Sequence, residues 1–179
     1  MVRVRTALSL FAPLASFVAA CPAIAGKCAP PSEGARGLSH RPIAPDDLVR
    51  LRDIGMFDSS LTSLPSPLAI SPDSQRVAFL LTQGDPDTNG YCRLMMVADI
   101  KANTAPRVVD TGGEFMTLEY DVRGLLVSVG FPDTVTPAWS PDGRWLAYLR
   151  RDKGITQLWR VSAEGGDAAP VTHSQVDIE

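Results

Sequence analysis

Apolar residues in this chain fall in short runs, and the runs are parted by clusters of Pro, Gly, Asp and Ser. In the run beginning at Gln75, Val77, Phe79 and Leu81 share one face of an extended segment by period-two alternation, and Ala78 and Leu80 share the other. A strand apolar on both faces suits a sheet packed between two neighbours. The pattern predicts strands over 66–70, 75–83, 91–100 and 106–110, then over 135–139, 144–150, 156–162 and 169–172. A long polar loop, 84–90, parts the second and third of these. Helical spacing is confined to Ala44–Gly55, where Leu48, Leu51 and Ile54 make one apolar stripe. Pro45, Asp46 and Asp47 suit its first turn, Arg50 and Arg52 come late, and Gly55 ends it, so a short helix over a sheet edge is expected there.

One phrase occurs twice. Ile70-Ser71-Pro72-Asp73-Ser74-Gln75-Arg76-Val77-Ala78-Phe79 is echoed by Trp139-Ser140-Pro141-Asp142-Gly143-Arg144-Trp145-Leu146-Ala147-Tyr148. Each copy sets an apolar residue before a Ser-Pro-Asp turn and an alternating strand after it. In that turn proline presets φ and aspartate caps its own backbone. Gly143 supplies an easy positive φ at the turn exit; Ser74 stands there in the first copy, which predicts a strained turn or one of another type. Repeated units of four short antiparallel strands are propeller blades. The predicted fold class is therefore all-β: an incomplete β-propeller of about two four-stranded blades, in units of about 66–110 and 135–173, preceded by a signal peptide and one short helix. Pro72 and Pro141 lie 69 residues apart, more than the ~40–50 residues of one blade. The excess, 111–133, holds two further apolar runs, either a degenerate hairpin or extra strands on the first blade.

Residues 1–25 read as a signal peptide: Arg3 and Arg5, an uncharged apolar stretch over Ala7–Ala20, and a small-x-small site at Ala23-Ile24-Ala25. The competing site, Val18-Ala19-Ala20-Cys21, would make Cys21 a lipidation site and the protein membrane-anchored; otherwise it is soluble in the periplasm. Residues 26–42 read as a flexible arm, and 43–179 as the start of the propeller domain. The formal charge of −3 becomes −5 once two arginines leave with the leader. An acidic chain gives no footprint for nucleic acid. Cleavage leaves Cys28 and Cys92, either one disulfide, as an oxidising compartment favours, or two free thiols.

Catalytic chemistry is not legible. There is no Gly-x-Ser-x-Gly elbow and no phosphate or dinucleotide loop, and no cofactor is expected. The two histidines, His40 and His173, have no serine or cysteine at a suggestive position. Two distant cysteines and two distant histidines do not make a metal site. Asp85, Asp87 and Asn89 alternate as in a calcium loop, but Pro86 intrudes and Met96 stands where the closing glutamate belongs. Trp139, Trp145 and Trp159 suit blade packing better than a peptide groove.

The segment Ile43–Gly55 with the following Ser71-Pro72-Asp73 resembles the entry to the N-terminal propeller of prolyl oligopeptidase-family serine peptidases. The run Gly84–Cys92 and the segment Trp139–Arg160 resemble the exported lasso peptide isopeptidases within that family. The resemblance covers roughly 43–179. It implies a propeller capping an α/β-hydrolase domain that bears a Ser-Asp-His triad and cuts the isopeptide bond of a threaded peptide. The propeller would filter and bind the peptide substrate. No catalytic residue carries over, because the matching hydrolase positions do not occur in this chain. The alternative is a TolB-like periplasmic binding propeller without enzymatic activity.

Overall fold

The computed structural model describes residues 42–55 and 66–178. Among them the fold is all-β with one helical turn, as expected. The signal peptide, the arm with His40, and the cysteines Cys21 and Cys28 lie outside the described residues.

The first sheet is built from β2 (Leu68–Ile70), β3 (Arg76–Asp85), β4 (Gly90–Asp99) and β5 (Arg107–Thr111), paired antiparallel in chain order. A two-residue strand, β1 (Arg52–Asp53), joins the same edge of β3 that β2 uses, pairing with Gln83 and Thr82. The second sheet contains β8 (Ala138–Trp139), β9 (Trp145–Asp152), β10 (Ile155–Ser162) and β11 (Ala169–Pro170), again in chain order. Between them stands an independent hairpin of β6 (Thr117–Val122) and β7 (Leu125–Pro132). Within 111–133, β6 and β7 therefore form a separate hairpin rather than extra strands on the first sheet, which ends at Thr111.

The two sheets pack face to face over one core. Ala78, Leu80, Met95, Val97 and Val109 come from the first, and Leu146, Tyr148 and Val161 from the second. Leu81, Leu94 and Met96 make a smaller cluster on the far side of the first sheet, with Phe79, Val108 and Ile54 against it. Both faces of β3 are thus covered, as its two-sided apolar pattern requires. Two four-stranded meanders sharing a core fit a partial propeller.

Two expectations need correction. The helix, α1 (Pro45–Val49), has five residues and does not reach Gly55. Helical spacing over 48–54 loses to strand pairing, because Gln83 donates its side-chain amide to the Arg50 carbonyl at 2.8 Å and β1 then joins β3. Leu48 and Leu51 are consequently exposed, and of the expected stripe only Ile54 meets apolar cover. The helix does lie at the sheet edge: a Cβ on Gly84 would stand 2.5 Å from the Val49 carbonyl oxygen. Second, the 84–90 loop is tighter than predicted. β3 and β4 extend to pair Asp85 with Gly90, and the Asp85 carboxylate is taken by the Asp87 N–H and the Thr88 hydroxyl. The two Ser-Pro-Asp turns are of one type, so of the two readings for the first copy the strained one stands. Ser74 adopts φ +56° where Gly143 has +66°.

The turn networks match bond for bond. The serine hydroxyl donates to the aspartate, at 2.5 Å for Ser71–Asp73 and 2.6 Å for Ser140–Asp142. The same hydroxyl accepts the backbone N–H of the first strand residue, Arg76 or Trp145, at 2.9 Å. The aspartate accepts a further N–H, from Gln75 or Arg144. These bonds hold the Asp73 carboxyl below the ordinary carboxylate range, the Ser71 hydroxyl contributing most. Asp142 is held down to about 2, by the Ser140 hydroxyl first and then by Arg144. Both folded values lie below the unfolded one, so this stabilisation is present above about pH 4 and is lost as pH falls toward 2. Ser71 is only 2% exposed, whereas Ser140 reaches water. Ser71→Ala therefore leaves the Arg76 N–H without its acceptor and costs about 1–3 kcal/mol. Ser140→Ala costs less, a difference readable in urea midpoints.

Candidate functional site

The strongest concentration of specific polar contacts is the seam between the two sheets. It begins with an irregularity. Met95 faces Asp110 and Met96 faces Val108, so the β4–β5 register shifts and Val109 is the extra residue of a bulge. Strict alternation would send Val109 and Asp110 to opposite faces. The bulge lets both turn toward the second sheet, a known use of this device. Val109 enters the shared core. Asp110 accepts hydrogen bonds from the Tyr148 hydroxyl and from Arg150, the latter at 2.9 Å. The side chains of Arg150 and Asp110 are 15% and 11% exposed. Burial, then the bond to Asp110, pushes the Tyr148 hydroxyl well above its usual range. The Arg150 guanidinium also lies 4.2 Å from the Trp159 ring centroid.

Arg76 closes the other end. It donates to the Gly143 carbonyl at 2.7 Å and to Glu164 at 3.2 Å, and its guanidinium lies 4.9 Å from the Trp139 ring. Trp139 in turn donates its indole N–H to the Ala69 carbonyl at 2.9 Å. Each Ser-Pro-Asp turn thus touches the other blade's turn region through a side chain of its own or of the adjoining strand. Further along, Glu114 donates its N–H to the Arg151 carbonyl and accepts from the Gly154 N–H. Arg93, buried and pulled down to about 10 by that burial, donates to the Glu114 carbonyl.

The sequence pattern points to Trp139 and Trp159 as packing residues but not to Asp110, Arg150, Arg93 or Glu114. A signal exists: along β9 the inward positions are 146, 148 and 150, and a charged residue at the third needs a buried partner. Of the three tryptophans, Trp139 and Trp159 pack against the core as expected. Trp145 does not; it points away from the seam and is 42% exposed, with Arg160 5.2 Å above its ring.

His173 follows β11 at an exposed position and has no serine or cysteine bonded to it among the described residues. Cys92 is buried in β4 and disulfide-bonded. The seam can hold two blades in a fixed relation; among the described residues it presents no activated nucleophile.

No protein-family model matches the chain. It is 40% identical over 140 residues to lasso peptide isopeptidase AtxE2 of Asticcacaulis excentricus, a stretch that covers 77% of this chain and 20% of AtxE2. The fold superposes on AtxE2 isopeptidase in its apo form with a TM-score of 0.69 at 40% identity, over 77% of this chain and 21% of that one. The chain is similar to a lasso peptide isopeptidase. A serine-to-alanine variant of AtxE2 with astexin3-dC4 bound gives a TM-score of 0.70 at 39% identity, over 78% of this chain and 22% of that one. An uncharacterized peptidase of Bacillus subtilis, YuxL, is 27% identical over 115 residues, 64% of this chain and 14% of its own length. The resemblance to lasso peptide isopeptidases read from Gly84–Cys92 and Trp139–Arg160 is borne out, and the chain spans about a fifth of the length of AtxE2.

Proposed function

We propose that this chain is propeller wall of an exported lasso peptide isopeptidase, giving the peptide its access route and binding surface while hydrolysis is done by residues outside those described. The observation that carries the proposal is the match to AtxE2 in both sequence and fold, at 40% identity and a TM-score of 0.69. The seam supports it, because a wall that admits one peptide and excludes others must keep its blades in register. The outward-facing Trp145 supports it as well, as an apolar surface suited to a further blade or a peptide. Residues 43–179 are the start of that propeller, following a cleaved leader and an arm. Export to the periplasm is favoured by the uncharged apolar stretch 7–20 and by the bonded state of Cys92, since disulfides persist in oxidising compartments. Cys28 is the partner we assign to Cys92.

The catalytic half of this reading has a direct test. A fluorophosphonate probe, which labels activated serines, is expected to leave the purified chain unlabelled under conditions that label AtxE2. Stoichiometric labelling of any serine in 42–178 would overturn the assignment of chemistry to residues elsewhere.

A further inference from the structure

A cavity of about 650 Å³ opens where the base of the β6–β7 hairpin meets the β9–β10 turn end and the final residues of the described chain. That volume lies within the ~300–1,000 Å³ of ordinary ligand pockets. The hairpin base is closed by the Asp133 N–H donating to the Met116 carbonyl at 2.8 Å, so this wall is fixed. Met116, Leu118, Leu149 and Ile178 give the cavity an apolar lining. Phe115 joins them, its ring held by stacking on Tyr91 with centroids 3.9 Å apart and planes 12° from parallel.

The charges on the lining are unequal. Glu119, Asp133 and Asp177 stand against a single guanidinium, Arg151. Arg151 is already engaged, with Asp177 at 2.9 Å and Glu114 at 3.7 Å. Asp177 is further occupied by the Thr156 N–H at 2.6 Å. Glu119 is exposed at the rim. Asp133 is half-buried, and burial raises its carboxyl above the ordinary range although a hydrogen bond from the Thr134 N–H, and then the charge of Arg93, oppose this. With Arg93 facing Asp133 and Arg151 shared by Asp177 and Glu114, four carboxylates, Glu119 included, stand against two guanidinium groups, so the lining keeps an excess of negative charge, to which the exposed Glu119 contributes.

We propose that this cavity binds the cationic side chain of a peptide, arginine or lysine, with its methylene stem on the apolar lining and its charged head between Glu119, Asp133 and the Phe115 ring. Long basic side chains bury their stems along apolar surface and keep the head on polar partners. An aromatic ring adds to the attraction of carboxylates for a cation. The choice of a peptide as carrier of the cation rests on the function proposed above; the charge selectivity of the cavity does not.

Saturation-transfer NMR on the full chain tests this with capped amino acids, which do not depend on isopeptidase function. Nα-acetyl-arginine methylamide is expected to bind saturably, and the neutral citrulline analogue, equal in size, about tenfold more weakly. Glu119→Gln, at an exposed position that tolerates the change, is expected to weaken the arginine compound about two- to fivefold, and Asp133→Asn at least as much. Equal binding of arginine and citrulline compounds, no saturable binding of either, or arginine binding unaltered in Glu119→Gln would each overturn the proposal. Selective arginine binding would stand even if the chain proved to have no part in an isopeptidase.

Discussion

Asp110→Ala is expected to destabilise the protein by about 3–5 kcal/mol, the range for removing one member of a buried ion pair. The size follows from what is left behind. Arg150, 15% exposed at its side chain, loses the carboxylate that receives it at 2.9 Å. Its Nε is already buried without a hydrogen-bond partner, so the guanidinium has no reserve of local acceptors beyond the Thr111 carbonyl at 3.4 Å. The Tyr148 hydroxyl, in a residue 3% exposed, loses its acceptor in the same step. Asp110→Asn separates the two contributions: it keeps the shape and an oxygen for Tyr148 while removing the charge that balances Arg150. The alanine variant is therefore the worse of the two. Urea unfolding followed by tryptophan emission is a suitable measurement, because Trp159 lies directly beneath Arg150. A loss below about 1 kcal/mol, typical of an exposed pair, would mean that the seam is wet and that the blades are not held by it.

How much of this was open to reading from the sequence depends on the range of the interactions involved. The Ser-Pro-Asp turns were legible because their bonds span at most five residues, from the serine hydroxyl to the Arg76 or Trp145 N–H. Strands on either side followed from period-two alternation, and β3, β4, β9 and β10 fall within a few residues of the predicted bounds. The helix end was misread because Arg50 and Arg52 are claimed by Gln83, about thirty positions away, and no local spacing announces that. Likewise the seam pairs residues 38 to 40 positions apart, through a bulge at Val109 that period-two counting would not place. The cavity draws on the hairpin, the second blade and the chain's last described residues together, so it has no sequence signature at all. The apolar character of 111–133 was visible, but its role was not: Leu125 and Leu126 are 65% and 67% exposed, and alternation alone cannot say whether a run is covered.

The second large effect concerns activity and goes to the centre of the account, that this chain is wall of an isopeptidase propeller. A chimera in which the 140-residue stretch of AtxE2 matched here is replaced by the corresponding residues of this chain should fold and open the AtxE2 peptide. At 40% identity with the fold kept, the expected loss in kcat/KM is within about tenfold, or 1.4 kcal/mol of transition-state binding, and it should lie mainly in KM, where a change of wall surface acts. Carrying Asp110→Ala into the chimera should lower its melting temperature, as is expected in the chain alone. The decisive measurement is peptide opening by the chimera under single-turnover conditions. Turnover near the AtxE2 rate is the predicted result; a chimera that folds, retains its reactive serine to fluorophosphonate and yet fails to open the peptide would contradict it.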